Sequence, residues 1–116
     1  MRRKLTSEAE QDLIDILEWS FERFGQAAYG RYRTLLSAAL REIARNPNCP
    51  GSRARPEIAK NVRTYHLRCH HGGKVRNPRH FLLYRCLPGR IVEVGRILHE
   101  SMDIETHLPE TYRRGG

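Results

Sequence analysis

The sequence predicts an α+β fold in which an N-terminal helical hairpin packs on one face of a small, mainly antiparallel sheet. The predicted order is strand, helix, helix, three strands and a short C-terminal helix. Three observations predict it. Apolar residues recur at helical spacing from Ala9 to Ile43, the period changes to two after Asn61, and Pro88-Gly89 separates two of the alternating runs.

Arg3-Lys4-Leu5 is short and charged, as an edge strand is. Ser7 and Glu10 have the spacing of a capping box, so a helix starts near Glu8. Ala9, Leu13, Ile16, Leu17 and Phe24 form its apolar stripe, Glu8, Glu10, Asp12 and Asp15 suit its positive end, and Gly25 is its C-cap. A second helix runs from Gln26 to Arg45 on the stripe Ala28, Tyr32, Leu35, Leu36, Ala39, Leu40, Ile43, and Asn46-Pro47 ends it. The short connection folds the two helices back on each other. Residues 46–61, with three prolines, read as a loop. Strands follow over Val62–Cys69, Arg79–Leu87 and Arg90–Leu98, with Tyr65, Leu67 and Cys69 sharing one face of the first. His70–Pro78 is a long basic hairpin loop, Pro88-Gly89 a tight one, Met102–Leu108 a short helix, and Thr111–Gly116 a frayed tail. The sheet face away from the hairpin carries many arginines and is expected to stay open for contacts.

At 116 residues the chain is read as one domain, 1–116, with its core over residues 3–108 and a flexible tail over 109–116. The charged start Met1-Arg2-Arg3-Lys4 is followed by polar Ser7–Gln11 rather than an apolar run, which predicts a cytoplasmic protein with no membrane partner. Cys49, Cys69 and Cys86 have no framework spacing and are expected as free thiols, although Cys69 and Cys86 fall on neighbouring predicted strands where air could bridge them. The net charge of +8 is concentrated: residues 53–100 hold eleven basic and three acidic side chains, while residues 1–52 hold eight and seven. Such a field favours an anionic partner, whether nucleic acid, an enzyme carrying nucleic acid, or an acidic protein.

The segments Leu5-Thr-Ser-Glu-Ala-Glu-Gln-Asp-Leu13, Arg23-Phe-Gly25, Arg45-Asn-Pro47, Arg79-His-Phe-Leu-Leu-Tyr84 and Arg96-Ile-Leu-His-Glu-Ser-Met-Asp103 resemble, in this order and spacing, the ParE toxins of the ParE/RelE type II toxin–antitoxin superfamily. The resemblance spans roughly residues 3–108, and the long loop around His71–Pro78 departs from it. It implies a RelE/ParE-like fold and a toxin neutralised by a small acidic, ParD-like antitoxin in a hetero-oligomer. DNA gyrase, or the gyrase–DNA complex, is the implied target. In the RelE-like branch the same scaffold is a ribosome-dependent mRNA interferase.

Metal-free RNA cleavage needs a group to activate the 2′-hydroxyl, cations at the phosphate and a proton for the leaving oxygen. Where RelE-like sequences close on His-Arg and a following Tyr, this chain has His99-Glu100-Ser101-Met102-Asp103, and its next tyrosine is Tyr112. Two acids beside the site repel a phosphate. A ribonuclease would use His99 as acid/base and Arg79 and Arg96 as clamps. The structural alternative has His99 capping the last strand and Arg96 paired with Glu93 or a helix carboxylate. For an inhibitor, Arg68, Arg79, Arg85 and Arg96 form the target-binding surface, and catalytic residues are absent.

His66, Cys69, His70, His71 and His80 are zinc-ligand types, but their spacing fits no common closed site, so neither metal nor cofactor is expected. A nucleic-acid-binding sheet unrelated to toxins needs exposed aromatics. Tyr65, Phe81 and Tyr84 are the strand aromatics, and core packing accounts for them. Trp19 lies off the apolar stripe, and with Arg23, Arg63 and Arg85 it is expected to contact the antitoxin.

Overall fold

Thr6, one residue before the expected capping box, starts the first helix. Its hydroxyl oxygen accepts the backbone N–H of Ala9 at 3.1 Å and donates to the Gly95 carbonyl at 2.6 Å, so the cap also anchors the helix to a strand. The computed structural model describes residues 1–70 and 75–113; the centre of the expected His70–Pro78 loop and the last three residues lie outside that range.

The helical segment α1, Ser7–Arg45, is broken at Gly25, whose φ of 87° and ψ of −178° strongly favour glycine. The rings of Phe21 and Tyr29 meet edge-on across the break with centroids 6.0 Å apart, although eight residues of straight helix would separate them by about 12 Å. The two arms therefore form the expected hairpin.

The sheet has the order β1-β5-β4-β3-β2: β1 is Arg2–Leu5, β2 Ser52–Ala54, β3 Val62–His66, β4 His80–Leu87 and β5 Ile91–His99. Strand β1 runs parallel to β5 and the other pairs are antiparallel. Strand β2 was not foreseen, because three residues between Pro50 and Pro56 are too few to show alternation. The expected strand Val62–Cys69 stops at His66, where the His66 ring accepts the Arg68 N–H and turns Leu67–Cys69 into a 3-10 turn. Cys86 lies opposite Val92, whereas Cys69 lies beyond the His66–Phe81 pair. Five strand residues, about 17 Å, separate Phe81 from Cys86, so the Cys69–Cys86 bridge is out of reach and all three thiols are free.

On one sheet face Leu35, Leu36, Ala39, Leu40 and Ile43 of α1 pack against Tyr65, Leu82, Tyr84, Val92, Val94 and Ile97. Strict alternation would turn Ile97 away from Val94. A β-bulge restores it: Leu83 pairs with Arg96 and Tyr84 with Val94, leaving Gly95 as the extra residue.

The opposite face is not open as expected. Val62 and Leu83 are covered by Ile58 and Ala59 from the preceding loop and by Ile104, Leu108 and Tyr112 from the C-terminal segment. The expected helix Met102–Leu108 is replaced by a 3-10 turn, Glu105–His107, and by α2, Glu110–Arg113, since the Asp103 carboxylate accepts the Glu105 N–H and Pro109 interrupts the run. Tyr112, expected in a frayed tail, is 1% exposed: its hydroxyl donates to the Glu93 carbonyl at 3.1 Å and its ring carries the Arg85 guanidinium at 4.3 Å. A Cβ at Gly95 would come within 2.7 Å of that ring. Among the described residues no helix is long and apolar enough to cross a membrane.

Urea unfolding is expected to show Tyr112→Ala destabilised by about 3 kcal/mol, and Tyr112→Phe by about 1 kcal/mol. An Ala variant as stable as the parent would mean that the C-terminal segment does not cover the sheet in solution.

Candidate functional site

Three strand ends meet at one end of the sheet. His66 closes β3 opposite Phe81, while His80 opens β4 opposite His99, the end of β5. This brings Arg79 and Glu100 together, and the Glu100 N–H donates to the Arg79 carbonyl at 2.7 Å. The Glu100 carboxylate accepts from Arg79 Nη1 at 2.8 Å and from His66 Nε2 at 2.7 Å, with Arg68 3.9 Å away. The Arg68 N–H donates to His66 Nδ1 at 3.1 Å, which makes Nε2 the protonated nitrogen facing Glu100. The hydrogen bond from Arg79, and then that from His66, holds the Glu100 carboxyl down at about 2.

A cavity of about 630 Å³ opens beside this cluster, between the hairpin and the start of β4. Tyr32, His80 and His99 form one wall, Ile16, Trp19 and Phe24 another, and Arg31, Arg76 and Arg79 add positive charge. The Tyr32 hydroxyl lies 2.6 Å from His80 Nδ1, and the His80 and His99 rings meet edge-on at 5.3 Å. Burial pushes Tyr32 up to about 12 and, reinforced by the nearby His99 and His66, pushes His80 down to about 4. Both are neutral at pH 7, so a single hydrogen bond joins them, its direction set by the His80 tautomer. The cavity can hold apolar or aromatic groups against Trp19 and Phe24 with a negative group on its arginines.

Residues 3–104 match the family model described as the ParE toxin of type II toxin–antitoxin system, parDE. The chain belongs to the ParE toxin family. It is 32% identical over 105 residues to Toxin ParE1 of Caulobacter vibrioides, covering 90% of this chain and 95% of that one. A solved structure described as the chromosomal ParDE TA system from P. aeruginosa shares the fold, with a TM-score of 0.63 and 18% identity over 85% of this chain and 95% of that one. A ParE toxin of a type II system has an antitoxin as its partner.

Within this ParE toxin the residues singled out from sequence are dispersed. Arg96 binds both oxygens of Asp12, at 2.7 and 2.8 Å, and the His107 carbonyl at 3.1 Å, which is the helix-carboxylate alternative. Arg85 donates to Glu93 at 2.9 Å beneath Tyr112 and is 15% exposed. Arg63 donates to the Ser52 hydroxyl at 2.7 Å. His99 Nδ1 accepts the Ser101 N–H at 3.1 Å, a cap at the end of β5. Arg79 and Arg68 share the Glu100 cluster and remain 56% and 66% exposed. Trp19 is half exposed, stacks edge-on with Phe24 at 5.4 Å and carries Arg23 at 5.6 Å. Among the described residues no group of His, Cys, Asp or Glu could hold a metal ion, and His71 lies outside them.

Sequence reasoning missed Tyr32, His80 and Asp12. Tyr32 sat on the apolar stripe and read as core, and His80 read only as a possible ligand. Asp12, however, lies three residues from Ala9 and next to Leu13, and an acid inside an apolar stripe is a sequence-level sign of a buried cationic partner.

His80 is held neutral to about pH 4, whereas an unfolded histidine protonates near 6.5. Its contribution to stability is therefore complete above 6.5 and is lost as pH falls from 6.5 to 4, by at most about 3 kcal/mol. Melting curves across that range are expected to decline less for His80→Gln than for the parent. Glu100 titrates lower, from the ordinary carboxylate range down to about 2, so the two windows separate. An unchanged decline in His80→Gln would remove His80 as its source.

Proposed function

We propose that this ParE toxin acts by inhibiting DNA gyrase, and that an acidic, ParD-like antitoxin neutralises it. The observation carrying this reading against mRNA cleavage is that the cations cleavage would need already hold internal carboxylates: Arg96 holds Asp12 and Arg79 holds Glu100. Tyr32 near 12 and His80 near 4, which face the cavity beside His99, are both far from the working pH that favours general acid–base catalysis, so neither supplies a second acid or base to His99. The target surface is then the exposed Arg68 and Arg79. The other two expected target contacts, Arg85 and Arg96, serve the fold.

The antitoxin surface of this proposal is the cavity rim at Trp19 and Arg23. Half-exposed aromatics beside free guanidinium groups suit an acidic segment that also presents apolar side chains. Arg63 and Arg85, which hold Ser52 and Glu93, contribute through the fold rather than by direct contact.

The purified toxin is expected to abolish supercoiling in a DNA gyrase reaction, and the antitoxin to restore it. Normal supercoiling, together with ribosome-dependent mRNA cleavage lost in His99→Ala, would replace this reading with the RelE-like one. Trp19→Ala is expected to weaken antitoxin binding by about tenfold or more, read by calorimetry. Unchanged affinity would move the antitoxin off this rim.

A further inference from the structure

A second recess, of about 260 Å³, lies beside the β2–β3 edge, on the other side of the Glu100 cluster from the aromatic cavity. Arg53, Arg55, His66 and Arg68 line it, with Glu100 inside and Phe81 and Met102 among its apolar walls. The charges do not balance. Arg55 is paired with Glu57 at 3.4 Å and held by Thr64 at 3.0 Å. The single Glu100 carboxylate already serves Arg79 and His66, and Arg68 approaches it only to 3.9 Å. Arg53 is exposed and has no ion-pair partner among the described residues. Two guanidinium groups therefore face one recess with little or no neutralisation, in a segment that carries the chain's whole excess of positive charge.

An anionic backbone suits the recess, because the two cations left unneutralised there are guanidinium groups, which bind phosphate oxygens. Arg53, on β2, and Arg55, one residue past its end, both line the recess, and two residues of extended chain put their backbones about 7 Å apart, close to the separation of successive phosphates in a nucleic-acid strand. We propose that this recess binds the phosphodiester backbone of a nucleic acid, with Arg53 and Arg68 as the primary contacts and Glu100 as a built-in counter-ion. The Glu100 carboxylate keeps the clamp assembled when the recess is empty and lowers its affinity. The site docks a backbone without cleaving it, and it does not depend on gyrase being the target.

Fluorescence anisotropy of the full chain, without gyrase, against a labelled DNA duplex and a labelled RNA strand of matching sequence tests this. Binding is expected to weaken as salt rises. The double variant Arg53→Ala/Arg68→Ala is expected to lose about tenfold in affinity and to flatten the plot of log affinity against log salt by about two. Arg53→Lys/Arg68→Lys retains most of the affinity, and Glu100→Gln tightens binding. Arg33→Ala/Arg41→Ala removes the same charge from exposed positions of α1 and leaves binding unchanged. Equal losses in the two alanine doubles, or no binding by the parent at low salt, overturn the proposal. Weaker binding by Glu100→Gln overturns the counter-ion role. The tighter of the two labelled strands identifies the nucleic acid. Melting temperatures of each variant separate loss of the site from loss of the fold.

Discussion

The ion pair between Asp12 and Arg96 fixes the first arm of α1 against β5. Strand β1 ends opposite Val94, so β5 becomes an edge beyond that point, and the Ile97 N–H would have no strand partner. Asp12 accepts that N–H at 2.9 Å while its two oxygens bind the Arg96 guanidinium. One carboxylate thereby caps a sheet edge, neutralises a largely buried arginine and sets the position of the first arm of α1 against β5. Removing either partner strands the other in a site where both side chains are mostly shielded, a loss on the order of 3 kcal/mol. With the hairpin placed in this way, Tyr32 on the second arm lies over His80, and the aromatic cavity exists.

Gly95 supplies a second constraint. As the extra residue of a bulge it brings Ile97 back to the helix-facing core, offers its carbonyl to Thr6 and leaves room for Tyr112. The two sheet faces are thus both closed, one by α1 and the other by the C-terminal segment. This changes the meaning of the positive charge. Arg63, Arg85 and Arg96 hold Ser52, Glu93 and Asp12, while Arg53, Arg68 and Arg79 remain at the surface. Of these six arginines, the three that a partner can reach therefore lie at one end of the sheet and along its β2–β3 edge.

That end presents two different recesses. The larger is aromatic and apolar with arginines at its rim, suited to a protein segment; the smaller is crowded with guanidinium groups around one carboxylate, suited to an anionic backbone. Glu100 stands at the boundary, since it binds Arg79 from the first and His66 from the second. On the proposed assignments the antitoxin and target surfaces are adjacent, so an antitoxin seated on one would overlap the other.

Local chemistry determined the parts of this protein that local chemistry can determine. The apolar stripes around Leu13 and Leu36, the turn at Gly25, the period of two after Asn61 and the Pro88-Gly89 hairpin each record a preference of a short segment, and the α+β class follows from their order, while the resemblance to the ParE toxins lies in the residues they carry. The tertiary structure alone decided which side chains meet. Asp12 and Arg96 are 84 residues apart, His66 and Glu100 are 34, and no pattern of period two or 3.6 encodes such a pairing. Nor could alternation reveal that Tyr112 returns to cover β5, because the signal for it is an absence, the missing side chain of Gly95. An arginine reads the same in a sequence whether it faces water or a buried carboxylate, and only the assembled sheet settles which of them a partner can reach.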